Sequence, residues 1–377
     1  MTLQEHPLYR EDIKRAASAD LPWEMLTGRP VLISGGGGLI GSFLIDVLME
    51  RNRLLMEAAS DGASKEDGLI RVFALGRSRV RGEARFASYL GDPVFTFVER
   101  DVNEPLLKES GASPKDDPLA AFGKGGYVLH LASQTHPVAY ATDPIGTIMT
   151  NITGTQHMLD FAVSAGAKRA LFASSNEIYG QNRGDAEFFD ESYCGYIDSN
   201  TLRAGYPESK RCGEALCQAY IRQRELDVVI ARLTRSYGPT LLKTDTKAMS
   251  QFLGKAAAGE DIVLKSEGTQ YFSYTYMADA VTGLLTVLLK GETGEAYNIA
   301  DEASDIRLRD LAARIAEAAG TKVVFDLPDA VESAGFSKAT KARLAGDKIK
   351  SLGWRMAYDI KSGTERTVRI MRDLANA

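Results

Sequence analysis

Cysteine and histidine are scarce in this 377-residue chain, with three and four copies. Cys194, Cys212 and Cys217 form no Cys-x-x-Cys pair and no disulfide framework, which fits a reducing compartment. His6, His130, His136 and His157 lack the spacing of metal ligands, so no metal site is expected. No apolar run approaches the roughly 18 residues of a membrane span. The opening MTLQEHPLYREDIKRA carries charges where a signal peptide needs an apolar stretch. Neither charge sign dominates, 45 basic against 50 acidic residues, so neither a nucleic-acid nor a membrane surface is implied. A cytoplasmic protein of ordinary globular composition is the expectation.

What the chain does have is a regular succession of short apolar runs. Val31-Leu32-Ile33, Val72–Leu75, Phe95–Val98, Tyr127–Leu131, Ala170–Ala173 and Val228–Ala231 read as buried parallel strands. Helical patterns separate them. Asp143-Pro144 is an N-cap and first-turn pair opening a helix that Gly166 stops. Another long helix begins near Tyr206. Residues 51–69 read as a polar surface insertion. After about residue 238 strands become scarcer, and a helix over Leu308–Ala319 follows the cap-like Ser304-Asp305. The predicted class is α/β, a Rossmann-type doubly wound parallel sheet with a smaller, mainly helical C-terminal substrate lobe. The expected division is a helical extension over 1–29, anchored by Trp23 and Leu26, a dinucleotide-binding domain over 30–238, and a lobe over 239–377 interleaved with the last sheet strands.

Ser34-Gly35-Gly36-Gly37-Gly38-Leu39-Ile40-Gly41 joins the first strand to an amphipathic helix. Gly35, Gly38 and Gly41 permit a tight turn and let a pyrophosphate approach bare N–H groups at a helix N-terminus. That context points to a dinucleotide, with Leu39 and Ile40 at the helix start beside it. A ribose-binding acid is expected after the second strand, but Arg77 stands there. Arg77 meets a 2′-phosphate, favouring NADP, or stacks on adenine; a solvated basic loop is the alternative. Asp101 and Val102, after the third strand, fall where adenine would lie, though an ordinary loop aspartate is nearly as good a reading.

Tyr206-Pro207-Glu208-Ser209-Lys210 sets Tyr206 and Lys210 on one helix face. An ammonium beside a phenol lowers its pKa and makes Tyr206 a general base. Ser174-Ser175-Asn176-Glu177 follows the fifth strand, at the sheet edge where substrates bind. Ser175 is read as holding the reacting oxygen and Glu177 as a second acid or base, with turn chemistry the plainer reading of the serines. His136, in the loop after the fourth strand, is a candidate substrate contact.

Together, in order, Ser-Gly-Gly-x-Gly-x-x-Gly, His130-Leu131-Ala132-Ser133, Ser-Ser-x-Glu-x-Tyr-Gly, Tyr-x-x-x-Lys and Arg232…Tyr237-Gly238-Pro239 resemble the NAD-dependent epimerase/dehydratase family of extended short-chain dehydrogenases. Pro137, Tyr140, Asp143-Pro144-Ile145 and Thr150-Asn151 are most similar to its UDP-glucuronate decarboxylases. The resemblance implies transient oxidation of a nucleotide-linked sugar by bound NAD, either decarboxylation of a UDP-uronic acid or C4 epimerisation. It implies chemistry at Ser175, Glu177, Tyr206 and Lys210, and cofactor contacts at Gly35, Gly38, Gly41, Asp101, Leu131, Ala132 and Ser133. Lys210 would also bind the nicotinamide ribose. A homodimer built on helices near 144–165 and 206–224 is implied too. Three positions depart from the pattern. Asn176 stands where 4,6-dehydratases carry aspartate, which disfavours dehydration and leaves Asn176 a substrate contact. Arg235 replaces an asparagine. Phe272 replaces the arginine that grips the pyrophosphate, and Arg235 is the candidate to supply the missing charge. The rival functions are an NADP(H)-dependent reductase of a nucleotide-linked sugar or polyol, motivated by Arg77, and a non-catalytic dinucleotide sensor.

Overall fold

The computed structural model describes residues 1–58, 68–106, 117–135, 137–242, 244–326 and 341–377. Among them, seven parallel strands form the central sheet. They are β1 (Pro30–Ser34), β2 (Arg71–Gly76), β3 (Phe95–Glu99), β4 (Tyr127–His130), β5 (Arg169–Ser175), β6 (Val228–Leu233) and a last strand, β10 (Ala296–Ile299). Their spatial order is β10-β6-β5-β4-β1-β2-β3. The order reverses beside β1, where β4 and β2 flank it. In such a sheet the crevice at the carboxyl end of the reversal point is the natural ligand site.

Helices cover both faces, which is why the strands read as unbroken apolar runs. Helix α2 (Leu39–Ala58) follows β1 and is buried along most of its first half. It extends through residues 51–58, so that stretch is helix and not insertion; residues 59–67 lie outside the described residues. A short helix, α3 (Arg79–Arg85), follows β2. After β4 come α4 (Pro137–Thr142) and α5 (Pro144–Ser164), the latter capped by the Asp143 carboxylate accepting from the Gly146 N–H at 3.0 Å. Helix α6 (Gly205–Arg224) packs beside α5, and Tyr220 Oη donates to Asp160 across the pair at 2.5 Å.

The chain leaves the central sheet just after β6. Strand β7 (Arg235–Tyr237) pairs with β9 (Tyr271–Tyr276) in the lobe, three residues before the expected boundary at 238. Beyond it lie α7 (Ala248–Ala258), β8 (Ile262–Leu264), α8 (Met277–Lys290), β11 (Asp305–Arg307), α9 (Leu308–Ala319), β12 (Val323–Phe325), β13 (Lys341–Ala342), α10 (Asp347–Ser351) and α11 (Ile360–Ala375). Strand β9 also pairs with β11 and β13, and β8 pairs with β12. Asp305 does not cap α9. It lies in β11, its carboxylate held by Ser273 and Arg343, and Arg307 precedes the helix without a side-chain cap. Return of the chain to the central sheet as β10 interleaves lobe and sheet.

The N-terminal segment is built in. Helix α1 (Pro7–Ala17) packs on α2 and α8, and Trp23 and Leu26 are both buried. Asp12 accepts from Tyr276 Oη at 2.6 Å and pairs with Arg366, which ties the segment to the lobe's β9 and α11.

Candidate active site

The glycine turn has two residues that tolerate no side chain. Gly35 adopts φ +69°, and a Cβ there would meet the Ala132 backbone at 2.9 Å; one at Gly41 would meet the Gly35 carbonyl oxygen at 2.4 Å. Gly37 faces open space. Next to the turn, Ser34 Oγ accepts from the N–H groups of Leu131 and Ala132 at 3.1 and 3.2 Å and lies 2.8 Å from His130 Nδ1. With two donors already on Oγ, its own proton goes to Nδ1, which fixes the neutral Nε2–H tautomer. Burial, then Lys210, pushes the His130 imidazole down to about 3, so it stays neutral. Ser34 thus clamps the glycine turn to the end of β4. A tight turn, a Cβ-free approach and a helix N-terminus fit a dinucleotide diphosphate. Leu39 and Ile40 open that helix, and Thr240 donates to the Leu39 carbonyl at 2.8 Å.

The residues expected around the rest of a cofactor are less uniform. Arg77 is exposed at the end of β2. One Asp101 carboxylate oxygen accepts from the Asn103 N–H at 2.9 Å, an ordinary loop turn. Val102 lies beside Asp101 and is tied to α5. Its side chain is buried against Gly154, and its carbonyl lies 2.9 Å from His157 Nδ1, so packing against α5 takes both groups.

Strand β5 ends at Ser175, whose Oγ accepts from the Glu177 N–H at 3.2 Å. Helix α6 brings Tyr206 to the same place. The hydroxyls of Ser175 and Ser133 lie close enough to its phenol to favour the charged form, against the effect of burial. Ser133 in turn donates to Asn151 Oδ1 at 2.7 Å, and Asn151 Nδ2 donates to Ser209 at 3.0 Å. Lys210 is buried one turn on, and its Nζ donates to the Ala173 carbonyl at 2.8 Å above the Phe172 ring.

The expected depression of the Tyr206 phenol is absent. Burial first, and Glu177 second, push it above its ordinary value, while Lys210 turns its ammonium to Ala173 instead. Burial pushes Lys210 itself down to about 7. The phenol of the ligand-free protein therefore stays protonated at neutral pH, and positive charge brought alongside it would lower it.

Two residues that sequence reasoning left without a role complete the cluster. Arg203 Nη2 donates to both Glu177 oxygens, at 2.7 and 2.6 Å. Its guanidinium lies 4.8 Å from the centre of the Tyr140 ring, which stacks on Tyr206 at 4.9 Å. Arg203 sits 26 residues from Glu177 in a short 3-10 turn, and no spacing signal connects them. Asn176 is buried beside Ser175. Arg235 stacks on Phe272 at 3.6 Å, so two of the three departures from the family pattern touch each other. His136 lies outside the described residues.

A glycine turn beside β1, and a Tyr/Ser/Lys cluster at the carboxyl ends of β4, β5 and the start of α6, define a class: Rossmann-fold enzymes that use a dinucleotide. The comparisons narrow it. The sequence pattern of the NAD dependent epimerase/dehydratase family matches residues 31–300, and the chain belongs to that family as an NAD-dependent enzyme. Among curated proteins it is similar to UDP-glucuronic acid decarboxylase 3 of Arabidopsis thaliana, 33% identical over 266 residues, 70% of this chain and 67% of that protein. It is also similar to UDP-glucuronic acid decarboxylase 1 of Xenopus tropicalis, 30% identical over 344 residues, 91% of this chain and 72% of that one. Among solved structures, dTDP-glucose 4,6-dehydratase from Streptomyces venezuelae, with NAD and TYD bound, superposes with a TM-score of 0.72 at 25% identity, covering 92% of this chain and 98% of that one.

Proposed function

We propose that the protein modifies a nucleotide-linked sugar by transient oxidation of a ring hydroxyl, as a UDP-uronic acid decarboxylase or C4 epimerase. The observation that carries this is the gathering of Ser133, Ser175, Tyr206 and Lys210 at the carboxyl ends of β4 and β5, beside the strand end that the glycine turn clamps. Bound NAD supplies the hydride acceptor. Ser175 orients the sugar hydroxyl, and Tyr206 Oη, once the positive charge of bound NAD lowers its phenol, would receive the hydroxyl proton as phenolate. Lys210 supplies charge beneath the site, and Glu177, held as a carboxylate partner of Arg203, is the second acid–base group. Oxidation at C4 makes the sugar a β-keto acid if C5 bears a carboxylate. The C5–C6 bond then breaks, CO2 leaves, and its electron pair stays on the sugar as an enolate that is protonated at C5; return of the hydride to C4, with a proton from Tyr206, would restore the hydroxyl and close the cycle. Asn176, an amide, offers no acidic proton for 4,6-dehydration. The decarboxylase names of the relatives support the first outcome.

Incubation with UDP-glucuronate, followed by mass spectrometry of both nucleotide and denatured protein, tests this. The expected result is a UDP-pentose lighter by CO2, with near-stoichiometric NAD released from the protein. An epimerase would return a UDP-hexuronate of unchanged mass. Arg77, exposed where a ribose-binding acid would stand, favours one second reading, an NADP(H)-dependent reductase. Protein that is empty as purified and turns over only with added NADPH would overturn the first reading for the second.

A homodimer is part of the reading. Val138 on α4, Ile145 and Met149 on α5, and Leu202 are exposed apolar side chains near the α5–α6 pair. Light scattering should give twice the chain mass, and a monomer at micromolar concentration overturns it. Three free cysteines, one of them exposed, support a cytoplasmic location.

A further inference from the structure

Arg235 is a half-buried cation, one of whose terminal nitrogens is buried with no partner among the described residues. It opens β7 two residues beyond Leu233, the residue paired with Ser175 across β5 and β6. Its guanidinium therefore stands at the carboxyl edge of the sheet, next to the reacting hydroxyl's place. The face of the guanidinium is taken by the Phe272 ring at 3.6 Å. Its edge is not: Nη1 is buried and meets no hydrogen-bond acceptor among the described residues. A buried charged donor left unpaired is costly, far more than a neutral one. A guanidinium stacked by its face presents its N–H fork in plane, the geometry that matches a planar two-oxygen acceptor.

The nearby carboxylate is already committed. Both Glu177 oxygens are held by Arg203, so Glu177 does not complete Arg235. The groups whose charges act on Arg235 are Tyr274, Glu177, Arg203 and Tyr140. Of these, Glu177 acts on Tyr206 as well, and Tyr140 stacks on it. The missing acceptor therefore belongs beside the reacting carbon. In a hexuronate oxidised at C4 the carboxylate is on the adjacent carbon, C5, whereas the diphosphate hangs from C1 across the ring. We propose that Arg235, braced by Phe272, binds the sugar carboxylate edge-on and selects a uronic acid over the neutral sugar. The role rests on the sugar-nucleotide reading given above.

The test is calorimetric titration of NAD-loaded protein with two probes that share a diphosphate and differ in the carboxylate, UDP-glucuronate and UDP-glucose. The parent should bind UDP-glucuronate about tenfold or more tightly than UDP-glucose, the size of one charge-assisted bidentate contact. Arg235→Met should erase that preference and leave UDP-glucose binding within roughly twofold, which also reports that the variant is folded. Equal weakening of both probes puts the arginine on the diphosphate and overturns the proposal, as does a parent without preference. Should the Met variant not fold, Arg235→Lys decides: it keeps the charge without the planar fork, and an undiminished preference overturns the proposal. A parent that binds neither probe overturns the sugar-nucleotide reading itself, and this role with it.

Discussion

Two buried polar clusters in this molecule share the same ingredients and differ in completeness. Around Asp46 on α2, Tyr9 and Tyr89 both donate to the carboxylate, and Arg85 pairs with it while also reaching Tyr9 and the Ser42 carbonyl. The Asp46 carboxylate thus holds α1, α2 and α3 together. Around Tyr206 the same residue types leave atoms over. Ser174 Oγ, His130 Nε2 and Arg235 Nη1 are buried without a hydrogen-bond partner among the described residues. Lys210 is buried where its charge is disfavoured. A satisfied cluster stabilises a fold, and an unsatisfied one stores a cost that a ligand relieves. The comparison therefore separates a structural tyrosine–arginine–carboxylate cluster from a working one.

The sharpest break of that comparison comes from Tyr206→Phe. It should lower kcat by roughly a hundred- to ten-thousand-fold, the range for a general acid–base group, and leave the urea midpoint unchanged. Asp46→Asn should do the reverse. Stranding Arg85 should cost about 3–5 kcal/mol in urea unfolding, with turnover per folded molecule retained.

Lys210→Met sharpens the contrast from a third side. The folded pKa of about 7 lies below the ordinary 10.5, so between these values the unfolded chain holds a proton that the folded chain has released. Parent stability should rise with pH from 7 to about 8, before the Cys217 thiol and the tyrosines that burial pushes up begin to oppose it, and the variant's urea midpoint should lack that rise and be higher at pH 7. A parent midpoint independent of pH would show Lys210 to be neither buried nor strained. Turnover by the variant should fall with the loss of the charge.

The smallest effects lie within the glycine turn. Gly41→Ala forces a methyl to 2.4 Å from the Gly35 carbonyl oxygen and should cost about 1–3 kcal/mol, whereas Gly37→Ala, facing open space, should stay within about 0.5 kcal/mol. Thermal melts of the two variants measure the difference, and equal losses would mean that crowding does not fix this turn.

Local physics let the sequence alone determine the sheet and its order of chemistry. Each central strand is a short apolar run because both its faces are covered, as Val128, Leu171 and Ile230 are. Asp143 caps α5, and the Gly35–Gly41 turn sits between strand and helix, from which the cofactor edge follows. Helical spacing put Tyr206 and Lys210 on one face.

Packing between segments distant in the chain set the rest. The β9 run Tyr-Phe-Ser-Tyr-Thr-Tyr is made mostly of strand formers, but its pairing with β7, β11 and β13 joins segments far apart in the chain, which no local pattern reports. Burial and Glu177 raise the Tyr206 phenol against the expected effect of its lysine neighbour, since i,i+4 spacing brings two side chains to one face without deciding where an ammonium points. The Arg203–Glu177 pair and the Arg235–Phe272 stack join segments 26 and 37 positions apart. Periodicity reports which face a residue takes. Which residue it meets there depends on how the whole chain packs, and in this protein the unfinished contacts of the site are of that second kind.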